Sequence, residues 1–293
     1  MIATGFEYHR PGDLAEAVVT LASDPENTAI LGGGTWLVPD LERGDRSVRR
    51  VLDLAAAGLR VITSLADGGL RVGAMCTYSD LLGTPETATR APLLALMAAQ
   101  ITGGVTIRNQ ATLGGSVIAA RPQSDAPAVM VSARAVGLVA GCGGDRRVPA
   151  HELFAGAMRT SLEPSEILWA LELPAPSRGN GYQKLKLMAG SWPIATAAAC
   201  LELDEAGRCR SATLTLGAVS ATPLQVPVES VLVGFEPSAD ALAAAAELAA
   251  HALTAPWDDA LAPAAYRAAV AAPLALRALT AAARDAAGAP ACD

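Results

Sequence analysis

The chain has 293 residues, 52% of them hydrophobic but only 4% aromatic, with a formal net charge of −7. That length fills one large or two ordinary domains around a sizeable core. The acidic balance excludes a dedicated nucleic-acid binder, which needs clustered Lys and Arg, whereas the basic patches here are short pairs such as Arg49-Arg50 and Arg146-Arg147.

From the N-terminus, Pro11 to Ala22 carries Leu14, Ala17, Val18 and Leu21 at helical spacing, and short strands are predicted at 28–31 and 50–54. This reads as a small βαβ-like opening lobe. Residues 59–73 predict a strand pair turning at Asp67-Gly68-Gly69, and 91–100 predict a helix. Ser124 or Asp125 can cap a helix running to Arg134, with Pro127 in its first turn. Strands follow at 135–140 and 167–173. A Pro, Ser and Gly cluster at 174–181 marks a boundary, after which strands are predicted at 182–187, 194–203 and 211–219. Alanine-rich helices at 238–253 and 263–286 close the chain.

The longest uncharged run, Ser211 to Val228, contains two prolines and several hydroxyl residues, which rules it out as a membrane span. Glu7, His9, Arg10 and Asp13 stand where a signal peptide needs an apolar segment, so the chain reads as cytoplasmic. Five cysteines, at 76, 142, 200, 209 and 292, lack Cys-x-x-Cys spacing and read as buried free thiols. His9, His151 and His251 lie far apart and form no metal pattern.

Two glycine clusters stand out. Gly32, Gly33, Gly34 and Thr35 follow the apolar run Ala29, Ile30, Leu31, and about eighty residues later Thr112, Leu113, Gly114, Gly115, Ser116 repeats the theme. Glycine has no Cβ to hold a phosphate away from main-chain N–H groups, so together the clusters suggest a nucleotide cradle. Taken alone, the first run favours an ordinary tight turn, because neither Gly-x-Gly-x-x-Gly nor a P-loop is present.

The block IRNQATLGGSVIAARPQSD, from Ile107 to Asp125, joins an Arg-Asn pair, a Thr-x-Gly-Gly turn and a Pro-x-Ser-Asp helix start. It resembles the FAD-binding medium subunit of the molybdenum hydroxylases, the xanthine dehydrogenase and carbon monoxide dehydrogenase type. The likeness extends in order through Phe6-Glu7-Tyr8-His9-Arg10-Pro11, the glycine run with Leu37 and Pro39, Glu166-Ile167-Leu168 before Pro174, and Ala265-Tyr266-Arg267. It covers nearly the whole chain. The resemblance implies an α+β fold: a PCMH-type FAD-binding domain over 1–176, of two α/β subdomains at about 1–56 and 57–176, then a smaller domain over 177–288 with an antiparallel sheet and helices.

The resemblance also implies a cofactor site for FAD. It places the diphosphate along Leu31, Gly32, Gly33, Gly34, Thr35, Trp36 and Leu37, with Thr112, Gly114, Gly115 and Ser116 as flavin and diphosphate contacts. Asp125 matches the acid that holds ribityl or ribose hydroxyls; its other reading is a helix cap. Leu168 matches a residue near the flavin, and Thr102 sits at the flavin-facing position where xanthine-oxidising relatives carry an aromatic ring. Lys184 matches a lysine near the isoalloxazine, where a cation stabilises the reduced anion. Gly190-Ser191-Trp192-Pro193 resembles a loop whose aromatic covers the flavin, which assigns Trp192 to stacking.

Three departures bear on cofactor affinity. Trp36 stands where relatives have a polar residue, and either packs on the cofactor or fills a gap under the loop. Ser116 replaces Asn or Asp, and Ser191 lacks an acid.

No catalytic or metal residue is expected on this chain. In the family, a large subunit holds molybdopterin, a small subunit relays electrons through two iron–sulfur clusters of the two-iron two-sulfur type, and the FAD of this subunit passes them to NAD, a quinone or oxygen. Two other readings stay open: a stand-alone flavin oxidoreductase acting on a small molecule, and a scaffold of the same fold without FAD.

Overall fold

The computed structural model describes residues 5–288 and builds them around three main sheets. The first lobe alternates strand and helix as β1 (Glu7–His9), α1 (Leu14–Ser23), β2 (Thr28–Leu31), α2 (Leu37–Arg43) and β3 (Arg50–Asp53). β3 lies centrally and runs parallel to both neighbours, which requires a crossover between successive strands. The start of α1 is later than the apolar spacing predicts, because the Asp13 side chain accepts the Glu16 N–H at 2.8 Å and fixes the cap there.

The second lobe opens with β4 (Ile62–Ser64) and β5 (Leu70–Gly73), turning through Gly68 at φ +92°. Six helices follow: α3 (Tyr78–Gly83), α4 (Pro85–Arg90), α5 (Pro92–Ala99), α6 (Gly104–Gln110), α7 (Leu113–Ile118) and α8 (Asp125–Ser132). Only α5 and α8 were legible, since the other four have 6 or 7 residues and show too few turns for an apolar period. Then come β6 (Val136–Gly141), β7 (Gly144–Pro149), a small hairpin of β8 (Phe154–Gly156) and β9 (Arg159–Thr160), and β10 (Ile167–Leu173).

The resulting sheet has the order β4-β5-β10-β6-β7 and is antiparallel throughout. The register of β10 against β6 shifts between Leu168 and Ala170. Such a bulge re-aims the residues beside it, and here it leaves both Ile167 and Leu168 bordering the same cleft.

The remaining chain forms β11 (Gly179–Lys186), β12 (Pro193–Leu203), β13 (Cys209–Gly217) and β14 (Leu224–Gln225), an antiparallel sheet in sequence order. Helices α9 (Glu229–Leu232), α10 (Ala239–Ala252) and α11 (Ala264–Ala286) share one apolar core with it. Gly179 and Gly181 let α11 lie directly on β11, because a Cβ on Gly181 would come 2.1 Å from the Ala278 carbonyl oxygen. No described helix is long and apolar enough to cross a membrane. Cys76, Cys200 and Cys209 are buried; Cys142 is exposed in the turn between β6 and β7, contrary to expectation, and Cys292 lies outside the described residues.

Arg267 locks this last unit. Its side chain is fully buried, donates to the carbonyls of Ile194 and Ala218, and pairs with Asp259 at 2.5 Å. Arg267→Met is expected to cost ~1–3 kcal/mol for each of the two carbonyls it leaves without a donor, whereas the partly exposed Asp259 keeps Trp257 and two backbone N–H groups as donors. Gly181→Val is expected to cost ~1–3 kcal/mol by overpacking α11. Urea unfolding of the two variants measures both.

Candidate functional site

After β2 the chain turns through Gly32, Gly33 and Gly34, the last at φ +72°, and enters α2. The turn rests on the second glycine block: a Cβ on Gly33 would come 1.8 Å from the Gln110 carbonyl oxygen, and one on Gly32 would come 3.0 Å from Thr112 Oγ1. The second glycine pair is the first turn of α7 and not a loop, with Thr112 Oγ1 accepting the Gly115 N–H at 3.1 Å. A Cβ on Gly114 would meet the Cβ of Ala74 at 2.5 Å. Close protein packing therefore demands glycine at 33 and 114 in its own right, beside the nucleotide-cradle reading.

A cleft in two parts runs past these turns. The larger cavity, about 390 Å³, is bordered by Gly32, Gly33, Gly34, Thr35, Trp36, Leu37, Thr112, Gly114, Gly115, Ser116 and Leu168. The smaller, about 190 Å³, is bordered by Thr102, Asp125 and Trp192, and shares Thr35, Trp36 and Ser116 with the first. Leu31 packs instead against the core of the first lobe, and Lys184 lies beneath the smaller cavity. A separate cavity of about 320 Å³, near Arg90 and Arg134, contains none of the predicted residues.

Trp36 stands between the two parts. Its ring stacks on Trp192 with centroids 4.7 Å apart and planes at 23°. The Arg121 guanidinium lies 4.0 Å from the Trp36 ring centroid and donates to Asp40 at 2.9 Å. In this cation–indole–indole stack Trp36 lines both parts of the cleft.

Asp125 is the first residue of α8, yet its carboxylate does not cap the helix. Oδ2 accepts from Lys184 Nζ at 2.9 Å and Oδ1 accepts from the Tyr182 hydroxyl. The Lys184 side chain is 1% exposed, and its ammonium also donates to Thr102 Oγ1 at 2.9 Å and the Gln100 carbonyl at 3.0 Å. Burial pushes the Asp125 carboxyl up and the Lys184 ammonium down, and each partner's charge opposes the other's shift. Thr102 in turn donates to the Ser191 carbonyl at 3.2 Å, tying the Trp192 loop to the pair.

The sequence reading missed the charged cleft residues Asp40, Arg46, Arg121 and Glu166. Arg121 lies inside the quoted block, but a side chain that reaches a cleft through tertiary stacking leaves no local pattern. Among the described residues, no group of three or more His, Cys, Asp or Glu is placed to hold a metal ion.

Residues 4–176 match the family model described as the FAD binding domain in molybdopterin dehydrogenase, and residues 180–282 match the CO dehydrogenase flavoprotein C-terminal domain. The chain belongs to this family. It is 34% identical over 270 residues to the carbon monoxide dehydrogenase medium chain of Afipia carboxidovorans, covering 91% of this chain and 93% of that one. It is 32% identical over 225 residues to the putative xanthine dehydrogenase FAD-binding subunit of Escherichia coli, covering 74% of this chain and 75% of that one. Among solved structures, carbon monoxide dehydrogenase from Hydrogenophaga pseudoflava superposes with a TM-score of 0.92 at 32% identity, over 97% of this chain and 99% of that one. Quinoline 2-oxidoreductase from Pseudomonas putida gives 0.90 at 31%, over 98% and 99%.

The family fixes the cofactor as FAD, and the cleft fits a dinucleotide. Glycine turns border its larger part, a carboxylate and hydroxyls border its smaller part, and the stacked Trp36 and Trp192 indoles stand where the two meet.

Glu166 borders the larger cavity and is gripped by Arg146 at 2.6 and 2.7 Å, a hydrogen-bonded pairing that holds its carboxyl below the usual range. A lowered folded pKa adds stability above the unfolded value of about 4.3, lost as pH falls through the folded value. Glu166→Gln is expected to destabilise by about 1 kcal/mol near neutral pH, discounted for the partly exposed Arg146, and to be silent once the carboxyl is protonated. Urea titrations at the two pH values test this.

Proposed function

We propose that this chain is the electron-transfer subunit of a molybdenum-dependent dehydrogenase, taking electrons from iron–sulfur clusters of a small partner and passing them to NAD, a quinone or oxygen. A large partner holding molybdopterin oxidises the substrate. The assembly is placed in the cytoplasm, with division of the chain near residue 176. The observation that carries the reading is the single cleft in which both glycine turns, Asp125 and Trp192 meet.

In this reading the diphosphate lies along 31–37 and 112–116, and the Asp125 carboxylate holds a sugar hydroxyl. An ionised carboxylate has about four lone-pair sites, so its two protein donors leave capacity for this. Trp192 covers the ring system, with Thr102 and Leu168 beside it. Lys184 has three protein acceptors for three ammonium donors, so it acts on the ring through charge and not through a direct hydrogen bond. The flavin supplies reversible electron uptake; the chain supplies position and electrostatics.

Two variants separate these roles. Asp125→Asn is expected to weaken FAD binding about tenfold or more, as for ~1.5 to 3 kcal/mol of charged hydrogen bonding. Lys184→Gln is expected to lower the flavin midpoint potential, because removing a cation disfavours the reduced anion. Unchanged FAD titration in the first, or unchanged potential in the second, returns that residue to a structural role.

Purification from the native host is expected to recover a large and a small partner, the latter with about eight cysteines for two two-iron clusters. Substrate-driven bleaching of the flavin should occur only in the assembly. Bleaching of this chain's flavin by an organic substrate in the absence of partners would establish a stand-alone oxidoreductase instead.

A further inference from the structure

Neither glycine segment, 31–37 nor 112–116, contains a Lys or Arg. The diphosphate of a dinucleotide is anionic, and charge-assisted hydrogen bonds are the strong ones for such a group. Arg121 borders the same cavity as both segments, with 22% of its side chain exposed.

Three features hold it there. Its guanidinium carbon sits over the Trp36 ring, 4.0 Å from the centroid. Asp40 accepts one of its N–H groups and is itself held by Arg43 at 2.5 Å, so the anchor is fixed from both sides. A guanidinium has five donors in a rigid fork, and the bond to Asp40 leaves others for a ligand.

The backbone supports the same placement. Ala120, immediately before Arg121, has φ +42°, and Met158 has φ +56°; the Met158 N–H donates to the Ala120 carbonyl at 2.8 Å. Left-handed conformations at non-glycine residues persist where surrounding structure over-determines them, and they gather at ligand sites. The Ser124 N–H donates to the Arg121 carbonyl at 2.9 Å, closing a turn that starts α8.

We infer that Arg121 is a diphosphate-binding cation of this chain and that Trp36 is the platform that fixes its orientation. The inference rests on FAD lying in this cleft as proposed above. Trp36 replaces no polar donor directly; it works through the guanidinium stacked on it. The pair favours flavin dinucleotide over flavins that lack a diphosphate.

The test strips flavin from the protein, purified with whatever chains accompany it, and titrates FAD, ADP and riboflavin at low and high salt. Arg121→Gln is expected to weaken FAD and ADP about tenfold at low salt, less at high salt, and to leave riboflavin unchanged. Arg121→Lys, which keeps the charge and loses the planar fork, should fall between. Trp36→Leu should weaken FAD several-fold alone and add little on top of Arg121→Gln.

Arg121→Gln binding FAD and ADP like the parent, or losing riboflavin equally, overturns the assignment of the cation. Penalties for Trp36→Leu and Arg121→Gln that simply multiply overturn the platform. A parent that takes up no FAD in this cleft overturns the placement on which both rest.

Discussion

The buried Asp125–Lys184–Tyr182 cluster is the constraint on which the rest of the site depends. Asp125 begins α8 in the second lobe, while Tyr182 and Lys184 project from β11 in the last sheet, so the contact fixes one unit against the other. Taking a carboxylate and an ammonium out of water costs several kcal/mol each, and mutual attraction repays this only when further hydrogen bonds complete both groups. The structure supplies them through the Tyr182 hydroxyl, Thr102 and the Gln100 carbonyl. An apolar pair would hold the units together as well, but would not put a charge beneath the smaller cavity.

Away from the cleft the same joint relies on small residues. Ser132 of α8 donates to the Ala198 carbonyl at 2.8 Å, and Thr213 donates back to the Ser132 carbonyl at 2.8 Å. β12 carries Ala195, Ala197, Ala198 and Ala199, all fully buried, and packs against α8 as well as α11. A strand covered on both faces needs an unbroken apolar run, and alanine lets helices approach closely. That is why 194–203 was readable as a strand from sequence without any alternation.

Legibility followed length and local chemistry. The hairpin at Asp67-Gly68-Gly69 and the helices over 239–252 and 264–286 announce themselves through turn residues or many periods of one pattern. β7, with the exposed sequence Gly-Asp-Arg-Arg, hides because an edge strand needs no apolar face. α6 and α7 hide because each is short and carries glycine, which argues against helix locally, whereas their close approach to Gly33 and Ala74 is tertiary. The site divides in the same way: the glycine runs and Asp125 carry their signal in sequence, whereas Arg121 and Glu166 acquire theirs only when distant segments meet.

The carboxylates that border the cleft are all paired. Asp40 is tied to Arg43 and Arg121, Asp125 to Tyr182 and Lys184, and Glu166 to Arg146. A general base must be within reach of a substrate proton with its lone pairs available, and its pKa is tuned toward the working pH. Each of these carboxylates instead positions a cation or hydroxyl at the cavity wall. With FAD as the family's cofactor, these walls offer it position and paired charge in both parts of the cleft.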